Sequence, residues 1–327
     1  MTNAAFHKKN SYVICTFSLI AATLLSSACG KTVPADDENG SLDGSASSSA
    51  VSSSATGTRD DTPYCPTPEA SGKTVYGNDL ATIDASNASD GYIMAVYHGD
   101  VEKVKMQISC PDTTIYTYDL SDEYQTFPLT SDSGKYHFAI FENIKDTQYS
   151  TAFSQDADIT ISDPFGPYLY TNQYVRYTKD SKAVAKGVEL AADASSDLDV
   201  ISNVYNYMIT NITYDHEEAK NVQSGYIPDV DEVLDTKKGI CLDYASVMTC
   251  MLRSQHIPTR MEVGYAGSAY HAWISTYIKD KGWVNGIIEF DGHDWQLMDP
   301  TFGASSDSKK LKKFIGDGSN YKVKYIY

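Results

Sequence analysis

Three side chains with complementary chemistry stand in order along this chain, each in its own local setting. Cys241 lies in Gly239-Ile240-Cys241-Leu242-Asp243-Tyr244-Ala245, His271 in Tyr270-His271-Ala272-Trp273, and Asp299 in Met298-Asp299-Pro300-Thr301-Phe302. The intervals are 30 and 28 residues. A thiol nucleophile, its base and a carboxylate that orients the base need this set if each comes from a different element of one small domain.

The surrounding residues predict those elements. From Cys241 the apolar residues Leu242, Ala245, Met248, Met251 and Leu252 recur at helical spacing. Cys241 therefore falls in the first turn of a helix, where unpaired backbone N–H groups and the helix dipole favour a thiolate. Residues 260–265 read as a strand bounded by Pro258 and Gly267. His271 opens a second strand rich in aromatic and β-branched residues, and residues 295–298 form a third that stops at Pro300.

These boxes resemble the transglutaminase-like superfamily of papain-related cysteine enzymes. The resemblance covers residues 198–302, roughly a third of the chain, and three boxes in the right order are far more specific than any one. The upstream Asn211-Ile212-Thr213-Tyr214-Asp215 looks like the segment that precedes the catalytic helix in that family. The resemblance implies Cys241 as nucleophile, His271 as base and Asp299 as orienter, with a backbone N–H at the nucleophile holding the oxyanion. Tyr214 is the candidate for a second oxyanion donor. Trp273, Tyr244 and Tyr270 are candidates to line the cleft.

The N-terminus reads as a secretion signal over residues 1–28. His7, Lys8 and Lys9 form a basic start, and residues 12–25 are mostly apolar but too few for a stable span of the bilayer, which takes ~20 residues. Leu25-Ser26-Ser27-Ala28-Cys29 resembles a bacterial lipobox with leucine displaced by one position, which makes Cys29 the expected lipidation site. Cleavage after Ala28 without lipidation, giving a secreted protein, is the alternative. A tether over residues 29–73 favours the anchor: residues 41–58 are almost wholly Ser, Ala and Gly and behave as flexible coil.

The chain carries 26 Lys+Arg against 43 Asp+Glu, a net charge of −17. Removing residues 1–28 takes away Lys8 and Lys9 and no acid, leaving −19. This excludes nucleic acid as a partner and adsorption to anionic lipid, so membrane affinity has to come from the anchor alone. No cysteine spacing forms a zinc site, and no metal or cofactor is expected. Cys250, nine residues after Cys241, reads as core filler. Cys65 and Cys110 could pair outside the cell.

Residues 74–166 read as a β-sandwich of immunoglobulin-like type. Strands are expected at 91–97, 104–110, 115–118, 124–127, 136–141 and 159–161. Residues 167–327 read as the catalytic domain, with helices over 183–192 and 198–212 and an edge strand over 321–327. The fold class is thus α+β, an all-β sandwich followed by helices packed on an antiparallel sheet. The expected activity is acyl transfer at a peptide or side-chain amide, as a peptidase or amidase acting on protein or cell-wall peptide. A cross-linking transglutaminase and a non-catalytic surface adhesin remain open. The oligomeric state is not legible.

Overall fold

A computed structural model describes residues 14–16, 59–279, 281–285, 287–290, 295–298 and 321–327. The first part is all-β. Strand β1 is Ile14–Thr16, β2 Val75–Gly77, β3 Ala81–Asp84, β4 Tyr92–Tyr97, β5 Val104–Ser109, β6 Ile115–Leu120, β7 Gln125–Pro128, β8 Gly134–Lys145 and β9 Gln148–Ile159. They form two antiparallel sheets, β2-β3-β4-β7 and β1-β9-β8-β5-β6. Alternation builds them. In β5, Val104, Met106 and Ile108 are buried while Lys105, Gln107 and Ser109 are partly open, and Tyr136, Phe138 and Ile140 of β8 point into the same core.

Five of the six expected strands are present; of the sixth, 159–161, only Ile159 lies in a strand, as the last residue of β9. Most of β9 was not anticipated, because only Tyr149, Ala157 and Ile159 of its residues are buried and no apolar alternation marks it. It is recruited by its long hairpin with β8, turned at Asp146 with φ 51°. β1 lies inside the expected signal segment and pairs with residues 148–150 at the start of β9.

The second part mixes helices and strands, as expected. Helix α1 is Lys182–Ala191, α2 Asp197–Asn211, then strand β10 Thr213–Tyr214, α3 His216–Asn221, α4 Val230–Thr236, β11 Lys238–Gly239 and α5 Cys241–Arg253. Strands β12 Thr259–Ala266, β13 Ala269–Ile278, β14 Gly282–Asn285, β15 Ile287–Phe290, β16 Trp295–Met298 and β17 Tyr321–Ile326 follow. β14-β13-β12-β17 form an antiparallel sheet, and β15 pairs with β16. α3 and α4 escaped the periodicity because they are short. Each is announced by an aspartate N-cap, Asp215 and Asp229, whose carboxylate accepts two backbone N–H groups of the first turn.

α5 is the hub. It packs on β12 and β13 and is surrounded by α1, α2 and α4. Every residue from Asp243 to Arg253 is therefore buried, and the helix has no solvent face to show as a polar stripe. At its far end Arg253 is fully buried, and among the described residues no Asp or Glu side chain pairs with it. Its guanidinium donates to the carbonyls of Thr259 at 2.9 Å, Tyr170 at 2.6 Å and Tyr327 at 2.7 Å.

One hydrophobic core runs through both parts. The Tyr116 hydroxyl of β6 accepts the Ile326 N–H of β17 at 3.2 Å, and the Tyr116 ring meets those of Tyr325 and Tyr327. Residues 59–65 fall within the tether expected over 29–73 but are not free coil: they lie against the C-terminal end of α5. Arg59 bonds Asp197 and Gln255, the Tyr64 N–H donates to the Ser254 carbonyl at 2.8 Å, and the Tyr64 and His256 rings lie 4.8 Å apart. Among the described residues, no helix is long and apolar enough to cross a membrane.

Candidate active site

The turn into α5 is built by a short parallel pair. Tyr214 of β10 stands in register with Gly239 of β11, and the Asp215 N–H donates to the Gly239 carbonyl at 2.9 Å. Ile240 is extended (φ −94°, ψ −179°), and Cys241 begins the helix. Cys241 is partly exposed whereas the helix is buried from Asp243 onward, so the thiol is at the one accessible end. Gly239 is obligatory here: a Cβ on it would lie 2.7 Å from the Cβ of Asp243. Asp243 is fully buried and accepts the Ile240 N–H at 2.8 Å and the Tyr226 hydroxyl at 2.8 Å. Burial, with Glu218 and Glu232 nearby, pushes its carboxyl up to about 6.

His271 sits on β13 opposite Gly264 and is buried. Its ring lies 6.1 Å from that of Trp273 and 6.5 Å from that of Tyr321. Below it, buried Glu262 accepts the Trp273 indole N–H at 2.7 Å and the Ser275 hydroxyl at 2.7 Å, which pins β13 to β12. Burial raises the Glu262 carboxyl above its ordinary value. Gly264 lets β17 approach closely, since a Cβ there would meet the Lys322 carbonyl at 2.0 Å. α5 and β13 pack directly, so the elements bearing Cys241 and His271 share one interface. Tyr270, next to His271, is 43% exposed, and Cys241 is among the groups near enough to act on its hydroxyl, which partial burial pushes up to about 12.

Asp299 and Cys29 lie outside the described residues. β16 ends one residue before Asp299, and its partner β15 packs against β13 and α2. Tyr214 is half-buried, with its ring 5.0 Å from His216 and 6.3 Å from Tyr244. Two expected cleft aromatics are instead core residues. Tyr244 is fully buried with its hydroxyl on the Ile212 carbonyl at 2.6 Å, and Trp273 is held by Glu262. Only Tyr270 of the three is open. Cys250 is fully buried, as expected. Cys65 and Cys110 are both free thiols, and burial pushes Cys110 up to about 12. The Asp243–Tyr226 contact was missed; an acid three residues after a helix's N-cap was its available signal. Among the described residues, no three His, Cys, Asp or Glu side chains converge as metal ligands.

Residues 183–286 match the sequence model of the transglutaminase-like superfamily. This segment belongs to that superfamily. The transglutaminase-like match runs from α1 to β14 and takes in Cys241 and His271. The chain is 26% identical over 144 residues to the uncharacterized protein YebA of Bacillus subtilis, covering 36% of this chain and 19% of that protein. It is 25% identical over 107 residues to a protein-glutamine gamma-glutamyltransferase of Pseudomonas aeruginosa, covering 28% of this chain and 14% of that one. The chain thus spans about a fifth or less of the length of these relatives. A solved red sea bream transglutaminase aligns over 66% of this chain and 48% of its own at 14% identity and a TM-score of 0.26.

Proposed function

We propose that the transglutaminase-like part is a cysteine enzyme of acyl transfer that hydrolyses a peptide or side-chain amide. The carrying observation is Cys241 as the half-exposed first residue of a buried helix that packs on the strand holding His271. In this reading the Cys241 thiolate adds to the amide carbonyl, and backbone N–H groups of the first turn hold the oxyanion, with Tyr214 beside them. The C–N bond then breaks, and His271, oriented by Asp299, gives its proton to the leaving amine. Water, deprotonated by His271, cleaves the thioester and returns the thiol.

The test is mass spectrometry of peptide substrates incubated with excess primary amine. Cleaved or deamidated product, lost in Cys241→Ala and His271→Ala, is expected. Product unchanged in Cys241→Ala would overturn the assignment. The likeness to the Pseudomonas aeruginosa protein-glutamine gamma-glutamyltransferase favours a second reading, cross-linking. Amine-linked product in the same assay would select it.

Residues 1–73 support a surface lipoprotein, with Cys29 as the lipid-bearing residue, an immunoglobulin-like sandwich as spacer and the enzyme beyond it. Cys29→Ala should release the protein from the membrane fraction or block its processing. Unchanged membrane retention with normal maturation excludes Cys29 as the anchor.

A further inference from the structure

Asp243 ties two segments that the chain keeps apart. One oxygen accepts the N–H of Ile240, the residue that leads into Cys241, and the other accepts the hydroxyl of Tyr226. Tyr226 belongs to the loop over residues 222–229 between α3 and α4. That loop turns at Gly225 (φ 91°), and the Tyr226 N–H closes it on the Gln223 carbonyl at 3.3 Å. The carboxylate is fully buried, so each donor matters more than it would in water. Among the described residues, the charged groups that act most on it are Glu218 of α3 and Glu232 of α4, both acids. They disfavour its ionised form, and Tyr226 and Ile240 oppose them.

We propose that Tyr226 and Asp243 form a positioning couple that holds the Cys241 turn in its reactive orientation and makes that orientation depend on the 222–229 loop. Neither residue touches substrate in this account; both act through the Ile240 peptide. The couple rests on Cys241 being the nucleophile, but its test needs no turnover, so failure of the catalytic reading would be seen separately.

The experiment follows amide hydrogen exchange of a peptide spanning residues 239–243 against pH, corrected for intrinsic exchange, with site-resolved alkylation of Cys241 by iodoacetamide at pH 8. Wild-type protection should fall as Asp243 takes up its proton. Tyr226→Phe removes a donor to the carboxylate, so the midpoint should move to higher pH and alkylation should slow about tenfold. Glu218→Gln removes a repelling charge, so its midpoint should move to lower pH. A merely structural hydrogen bond would lower the melting temperature without opposite shifts. Midpoints that stay put, or move the same way in both variants, overturn the proposal, as does Tyr226→Phe alkylating at the wild-type rate. Should Tyr226→Phe fail to fold, Glu218→Gln decides alone.

Discussion

Arg253 donates to the carbonyl of Tyr327 at 2.7 Å, which joins the last turn of α5 to the end of β17. The same helix starts with Cys241, so this contact seats the element bearing Cys241 on the sheet that carries His271. The cation is held by three carbonyls, and burial pulls it down to about 10, so it is charged at neutral pH.

Replacing it with an apolar residue of similar length should therefore be costly. Arg253→Met would strip the guanidinium's bonds from the carbonyls of Thr259, Tyr170 and Tyr327, of which Tyr327 keeps the Met261 N–H at 3.0 Å, and a loss of ~3 kcal/mol in unfolding free energy is expected. Urea denaturation measures it. A loss under ~1 kcal/mol would mean that water replaces the guanidinium.

Asp243 makes stability depend on pH with a defined sign. Its folded value, about 6, lies above the ordinary 3.8. The folded state then binds the proton more tightly than the unfolded chain. Its contribution to stability is full below pH ~4 and is lost as pH rises through ~6, to a total of ~3 kcal/mol. The difference in unfolding free energy between wild type and Asp243→Asn should change across that window. A difference flat from pH 4 to 7 would contradict the burial account.

Gly239→Ala forces a Cβ to within 2.7 Å of the Asp243 Cβ. Relief requires moving Ile240 and hence Cys241. We expect ~2 kcal/mol of destabilisation and a drop in Cys241 alkylation larger than that at Cys65. Crystal or solution data showing the turn unmoved would refute this.

Glu262→Ala strips the acceptor from the Trp273 indole and the Ser275 hydroxyl. A loss of ~2 kcal/mol is expected, with a shift in tryptophan emission as Trp273 finds a new environment. Glu262→Gln keeps one acceptor oxygen and should lose about half as much.

Much of the site's order was legible locally. The residues around Cys241 marked a helix start because the apolar spacing begins there, and 260–265 and 271–278 read as strands because β-branched and aromatic residues cluster between Pro258, Gly267 and Gly282. The two β sheets were legible in the same way wherever one face alternates, as in β5. β9 was invisible because a strand recruited by its hairpin partner needs no apolar pattern of its own. Tyr244 and Trp273 were misplaced because an aromatic side chain next to a reactive residue can point to core or cleft with the same local sequence.

The sequence alone determined that Cys241 opens a helix, that an all-β stretch precedes a stretch of mixed helices and strands, and the strongly acidic balance, since each is a property of short segments or of composition. Tertiary structure alone decided which groups stabilise that setting: Arg253 reaching Tyr170 and Tyr327, Tyr226 reaching Asp243, and residues 59–65 closing on α5. These are contacts between residues from 17 to nearly 200 positions apart. A buried polar group takes whichever partner the packing brings within hydrogen-bond distance, and no local pattern records which one that is.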